Sequence, residues 1–258
     1  MKISLIQTSL AWEDHEANRQ NFSKLISQIE ETDLIILPEM FATGFTMNPQ
    51  DVFETMEGQS VQWMKDAASQ KNCAVTGSVV IKEGDNYYNR LLFVFPDGKI
   101  ETYNKRHLFS LAGEDKVYTA GKDRLVVEYK GWKICPLICY DLRFPVFSRN
   151  TEDIDLLIYV ANWPERRVFA WDSLLRARAI ENMCYVAGVN RIGQDNNGHT
   201  YTGHSQVYDC LGQGVGLNGL IDDEDNSITT IALNKDYMKD MRSKLSFLND
   251  RDAFILQD

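Results

Sequence analysis

The chain has 258 residues, a 44% hydrophobic fraction and a formal net charge of −10, from 27 Lys plus Arg against 37 Asp plus Glu. That composition excludes disorder as its main character, and the acidic balance argues against nucleic acid or an anionic membrane surface, which need a basic face. A small anionic substrate stays compatible, because a local pocket of arginine or lysine can override the global charge.

In chain order, a strand over residues 2–7 is followed by a helix over 15–30. There Phe22, Leu25, Ile26 and Ile29 recur at i, i+3, i+4 and i+7 as one apolar face. A strand over 33–37 is stopped by Pro38, and its unbroken apolar run predicts burial on both faces. A helix over 59–70 leads to a strand over 74–81. Strands over 91–95 and 99–103 flank Pro96-Asp97-Gly98, a hairpin turn. Strands over 125–128, 133–138 and 154–160 come next, then a helix over 171–182 whose Arg178 and Glu181 stand at i, i+3. Strands over 183–189, 205–208 and 228–233 and a polar helix near 235–244 complete the pattern.

Interleaved helices and strands predict α/β layers. No linker or repeat divides the chain, so residues 1–258 read as a single domain. Periodicity alone leaves open whether the strands form one sheet or two. The first residues enter a strand without a signal-peptide core, and no uncharged apolar run reaches membrane-spanning length. The five cysteines, at 73, 135, 139, 184 and 210, form no C-x-x-C pair. Reduced thiols in the cytoplasm are the expectation.

Three apolar segments end on a reactive side chain. Leu34-Ile35-Ile36-Leu37-Pro38-Glu39-Met40-Phe41 puts Glu39 just beyond a buried strand, and Tyr103-Asn104-Lys105-Arg106-His107 puts Lys105 after the hairpin. Leu137-Ile138-Cys139-Tyr140-Asp141-Leu142-Arg143-Phe144-Pro145 puts Cys139 at a strand-to-loop elbow. Ligand crevices of α/β proteins open at strand ends. A carboxylate, an ammonium and a thiol meeting there supply a base, an oxyanion clamp and a nucleophile.

At these residues the sequence resembles the nitrilase, or carbon–nitrogen hydrolase, superfamily, whose Glu–Lys–Cys triad matches Glu39, Lys105 and Cys139. Glu114 matches a further glutamate found near many such sites, and Arg176-Ala177-Arg178-Ala179-Ile180-Glu181-Asn182 is similar to the family's R-A-x-E-N helix. The resemblance implies a four-layer α-β-β-α sandwich, commonly dimeric, that needs no metal or organic cofactor. Cys139-Tyr-Asp-Leu-Arg-Phe-Pro and Tyr159-Val-Ala-Asn-Trp-Pro164 look like the bacterial ω-amidase group, which includes 2-oxoglutaramate amidases. A thiol nucleophile splits amide hydrolysis into thioester formation and thioester hydrolysis. Glu39 is then expected to carry the protons, Lys105 and the Tyr140 N–H to hold the oxyanion, and Glu114 to orient Lys105 or the amide. A substrate carboxylate calls for a guanidinium fork from Arg143, Arg166 or Arg167, among which the sequence does not choose. Phe41, Tyr140 and Trp163 are the expected pocket walls.

Other motifs have plainer readings. Cys73, Cys135, Cys184 and Cys210 read as small core or loop fillers. His107 suggests a Cys/His dyad only if it approaches Cys139. His199 and His204, with Asp195 and Asp209, lack regular ligand spacing and read as polar loop. Gly214-Val-Gly216-Leu-Asn-Gly219 satisfies G-x-G-x-x-G, but an acidic turn-like run follows it where a dinucleotide fold needs a helix. The Asn21-Phe-Ser23 sequon lies on a helix and reads as incidental. Two functions from different classes remain: a hydrolase of small amides, nitriles or carbamoyl compounds, or a silent binding protein on the same scaffold. The intact acid, amine and thiol favour the hydrolase.

Overall fold

The computed structural model describes residues 1–216, the backbone of 221–223, and 226–256. Residues 217–219 of the glycine-rich string and 224–225 of the acidic run lie outside the described residues. In chain order the regular elements are β1 (Lys2–Thr8), α1 (His15–Ser27), β2 (Leu34–Ile36), α2 (Pro49–Val52), α3 (Gln59–Lys71), β3 (Ala74–Glu83), β4 (Asn86–Val94) and β5 (Ile100–Asn104). There follow α4 (Glu114–Val117), β6 (Val127–Tyr129), β7 (Trp132–Ile138), β8 (Leu156–Ala161), α5 (Val168–Asn182) and β9 (Tyr185–Asn190). The last are β10 (Ile192–Gln194), β11 (Thr200–Thr202), β12 (Gln206–Tyr208), β13 (Ile221–Asp223), β14 (Asn226–Ala232) and α6 (Lys235–Leu245).

The strands form two large sheets. One has the order β13-β14-β1-β2-β3-β4-β5, the other β12-β9-β8-β7-β6, and β10 pairs with β11 as a separate hairpin. Parallel pairing joins β1 to β2 and β2 to β3 in the first sheet, and β7 to β8 and β8 to β9 in the second. Side-chain alternation along each strand determines which layer it serves. Ile3, Leu5, Leu34, Ile36, Leu91 and Phe93 point from the first sheet into a core shared with Leu137, Leu156 and Ile158 of the second. Their neighbours Ile6, Ile35, Leu92 and Val94 turn the other way, onto Phe22, Leu25 and Ile26 of α1 and Val61 and Met64 of α3.

On the far side of the second sheet lies α5, with Trp171, Leu175 and Ala179 buried at helical spacing. Gly188 of β9 permits that contact, since a Cβ there would stand 2.4 Å from Leu175 Cδ1. The result is the expected α/β sandwich of four layers, α-β-β-α. Asp14 starts α1 by accepting the Ala17 N–H at 3.0 Å. The Pro96-Asp97-Gly98 turn forms as read: Gly98 has φ +84 and the Lys99 N–H is held by Asp97 Oδ1 at 3.0 Å. The hairpin itself is longer than the sequence suggested, because β4 begins at Asn86.

Candidate active site

Each reactive group stands just past a strand or at the first turn of a helix. Just past β2 the Leu37 N–H donates to the Thr76 carbonyl, and Ser78 of β3 then accepts the Met40 N–H through Oγ at 2.8 Å. Met40 adopts φ +45, so the chain reverses directly after Glu39. Lys105 follows β5, with its N–H on the Asn89 carbonyl at 3.0 Å and its own carbonyl accepting from Gly121 N at 2.9 Å. Glu114 opens α4, and its Oε2 accepts the Phe109 N–H at 2.6 Å.

Cys139 follows β7 directly at φ +44, a left-handed conformation that a non-glycine residue adopts only where its surroundings hold it. Asp141 supplies that hold. Its Oδ2 accepts the Ile138 N–H at 2.9 Å and the Tyr103 hydroxyl at 2.8 Å, while Oδ1 meets His107 Nδ1 at 2.7 Å. One turn on, Arg178 of α5 donates to the Leu142 carbonyl at 2.6 Å. The arginine of the R-A-x-E-N helix therefore ties α5 to the elbow.

The four groups converge. Lys105 Nζ lies 2.8 Å from Glu39 Oε1 and 3.0 and 2.9 Å from the two oxygens of Glu114. Asn89 bridges the carboxylates, with Nδ2 at 2.9 Å from Glu39 Oε1 and 3.2 Å from Glu114 Oε1. Asn162 donates its backbone N–H to Glu39 Oε2 at 2.9 Å and its side chain to the Glu39 carbonyl at 2.6 Å. Glu39 is the carboxylate with the strongest influence on the Cys139 thiol. Glu39 and Glu114 are fully buried and Lys105 nearly so. Two carboxylates sharing one ammonium out of water need every one of these donors.

Burial pushes the Cys139 thiol well above its ordinary value, and Glu39 adds to the rise. The resting group is thus a neutral thiol beside a carboxylate, the arrangement in which a base must take the proton as the sulfur attacks. Burial opposes the Lys105 charge, but Glu114 and Glu39 outweigh it and hold the ammonium protonated. Burial, with Glu39 nearby, raises Glu114 despite Lys105.

Cys139 and Lys105 form the floor of a cavity of about 250 Å³. Tyr140, Trp163 and the three candidate arginines, Arg143, Arg166 and Arg167, line it. Phe41 does not. It packs against Phe22 at 5.5 Å and Trp63 at 5.5 Å between the sheet and its helices, because the reversal at Met40 turns it away from the site. That corrects its assignment as a pocket wall. The β10–β11 hairpin brings in Asp195, His199 and Tyr201, while Phe45 and Phe109 close other sides. His107 pairs with Asp141 and stacks on Phe144 at 3.6 Å, so it braces the elbow and is not placed as a base for Cys139. His204 pairs with Asp172, apart from His199, and Asp195 and Asp209 accept backbone N–H groups of their own turns. Asn89, Asn162 and Phe109 were not singled out in the sequence. Asn89 sits in a strand stretch that reads as polar, and Asn162 within a quoted string that had no assigned role.

The carbon–nitrogen hydrolase profile matches residues 2–242. The chain belongs to that family. Omega-amidase YafV of Yersinia enterocolitica is 43% identical over 256 residues, covering 99% of this chain and 98% of the relative. The 2-oxoglutaramate amidase of Bacillus subtilis is 34% identical over 223 residues, covering 84% and 86%. Among solved structures of the family, XC1258 from Xanthomonas campestris, a CN-hydrolase superfamily protein with an arsenic adduct in its active site, superposes with a TM-score of 0.93 at 43% identity. That superposition covers 100% of this chain and 99% of XC1258. A Nesterenkonia amidase shares the fold at a TM-score of 0.80 and 22% identity.

Proposed function

We propose that this carbon–nitrogen hydrolase is an ω-amidase-type enzyme that cleaves the terminal amide of a small ω-amido acid, 2-oxoglutaramate or a close analogue, to carboxylate and ammonia. One observation carries the reading: a neutral thiol lines the same cavity as a buried ammonium that clamps two carboxylates, one of which, Glu39, acts on the thiol. The names of the Yersinia and Bacillus relatives support the substrate class.

In the proposed cycle Cys139 Sγ attacks the amide carbon as its proton passes to Glu39. The oxyanion forms against Lys105 Nζ and the Tyr140 N–H. An ammonium has three N–H donors, so serving one to each glutamate leaves the third for the oxyanion. Glu39 then gives its proton to the departing nitrogen, the C–N bond breaks, and ammonia leaves a thioester. Water attacks the thioester while Glu39 takes its proton, and the expelled sulfur recovers that proton as the carboxylic acid is released. Each oxyanion donor in such a site contributes about 3–4 kcal/mol at the transition state. Glu114 serves as the second clamp on Lys105.

The reading includes a cofactor-free single domain in the cytoplasm, supported by five free cysteines, four of them in the apolar core. Among the described residues no helix is long and apolar enough to cross a membrane. A homodimer is supported by Phe169 and Ile180, large apolar side chains left exposed on α5. Sedimentation at micromolar concentration tests it, and a monomer there counts against it. Ammonia release from 2-oxoglutaramate, aliphatic amides, nitriles and N-carbamoyl compounds tests the reaction. Activity confined to nitriles or carbamoyl compounds removes the ω-amidase reading and keeps the cysteine chemistry.

A further inference from the structure

Three arginines reach the cavity, and among the described residues none of them is paired with a carboxylate. They are not equivalent. Arg143 and Arg166 are exposed, so water screens their charge, whereas Arg167 is half-buried. Arg143 lies over the Trp163 ring at 5.0 Å and Arg167 over the Phe109 ring at 5.1 Å. A guanidinium laid on a ring keeps its in-plane N–H fork free, the geometry that a carboxylate takes with two parallel hydrogen bonds.

Arg167 is also the better anchored. Its N–H donates to the Pro164 carbonyl at 2.9 Å, and its own carbonyl accepts from Trp163 Nε1 at 2.7 Å. Its shelf, Phe109, holds Glu114 through the backbone and meets Tyr140 edge-on at 5.0 Å. One aromatic residue thereby fixes the distance between the Lys105–Glu114 clamp, the residue beside Cys139, and the Arg167 fork. The cavity's acidic wall residue, Asp195, is already engaged by the N–H groups of Asn197 and His199 and by the Tyr201 hydroxyl. Burial, and the neighbouring Arg166 and Arg143, pull Arg167 below the usual arginine value. An incoming carboxylate relieves that crowding.

We infer that Arg167, not Arg143 or Arg166, anchors the carboxylate of the substrate and so makes the cavity selective for ω-amido acids over neutral amides. The inference rests on the proposed ω-amidase reading. The test compares kcat/KM for glutaramate with that for pentanamide, its uncharged counterpart of equal chain length, in the wild type and in R167A, R167K, R143A and R166A. The expected result is a wild-type preference for glutaramate that falls roughly a hundredfold in R167A, in keeping with loss of a partly buried charge pair. R167K, which keeps the charge without the fork, falls between, and R143A and R166A change the ratio by less than tenfold. Because both substrates report on the same protein, a general loss of fold lowers both rates and leaves the ratio in place. A preference that survives R167A and collapses in R143A or R166A overturns the anchor alone. A wild-type ratio near one overturns the ω-amido-acid reading together with the anchor.

Discussion

The two ends of the cavity use cations in opposite ways. At the floor Lys105 is buried and held by two glutamates within 3.0 Å, so its charge is spent on holding carboxylates in place. At the mouth Arg143, Arg166 and Arg167 rest on aromatic rings or reach into water, with no acid partner among the described residues. A saturated cluster is rigid and keeps its geometry, as chemistry requires. A cluster of cations without acid partners is suited to take up an anion. The net charge of −10 predicts neither.

That contrast can be broken from the floor upward. Cys139→Ala is expected to abolish ammonia release, by about 10⁴-fold or more, while stability stays within about 1–2 kcal/mol. Residual turnover near wild type in that variant removes Cys139 as nucleophile. Lys105→Met leaves two buried carboxylates without a counter-charge and should destabilise the fold by about 3–5 kcal/mol in denaturant titrations. An unchanged midpoint would show that the cluster is less saturated than its distances imply. Asn89→Leu strips one donor from both glutamates and should cost about 1–3 kcal/mol, with a fall in kcat rather than a rise in KM. A pure KM effect would place Asn89 in binding instead.

The smallest effect concerns pH. Burial and Glu39 raise the Cys139 thiol, so its thiolate fraction grows about tenfold per pH unit below that raised value. Iodoacetamide should label Cys139 first, since Cys73, Cys135, Cys184 and Cys210 are fully buried. The labelling rate should keep climbing through pH 9. A plateau near pH 7 would mean a preformed thiolate and a different role for Glu39.

The residues that converge beside the cavity are more legible in the sequence than those that hold them in place. Glu39, Lys105 and Cys139 announce themselves because each ends an apolar run, and strand ends are legible from hydrophobicity alone. Asn89 does not, because Tyr87-Tyr88-Asn89-Arg90 lies outside the unbroken apolar run Leu91-Leu92-Phe93-Val94 that marks the rest of β4. The β10–β11 hairpin was missed for a related reason: its strands have three residues each, and the Asn196-Asn197-Gly198 turn between them reads as loop. Phe41 was misplaced by a single backbone angle. Two residues after Glu39 in an extended chain is the same face, but φ +45 at Met40 reverses it. The two-sheet architecture came from family resemblance, since alternation says which residues are buried and not which layer covers them.

The order of strands in the first sheet also matters before the protein is finished. β1 has β2 on one side and β14 on the other, in register from Lys2 opposite Ala232 to Thr8 opposite Asn226. Throughout synthesis of the more than two hundred residues between them, β1 presents an open edge of unpaired N–H and C=O groups. The following segment then crosses to the other sheet, where Tyr185 Oη donates to the Asn234 carbonyl and Lys235 pairs with Asp155. A chain released after Tyr201 but before Asn226 carries Glu39, Lys105, Glu114 and Cys139 and still lacks β14, the strand that covers this edge of β1. Ribosome-stalled or truncated products of this gene are therefore the species most exposed to edge-to-edge aggregation.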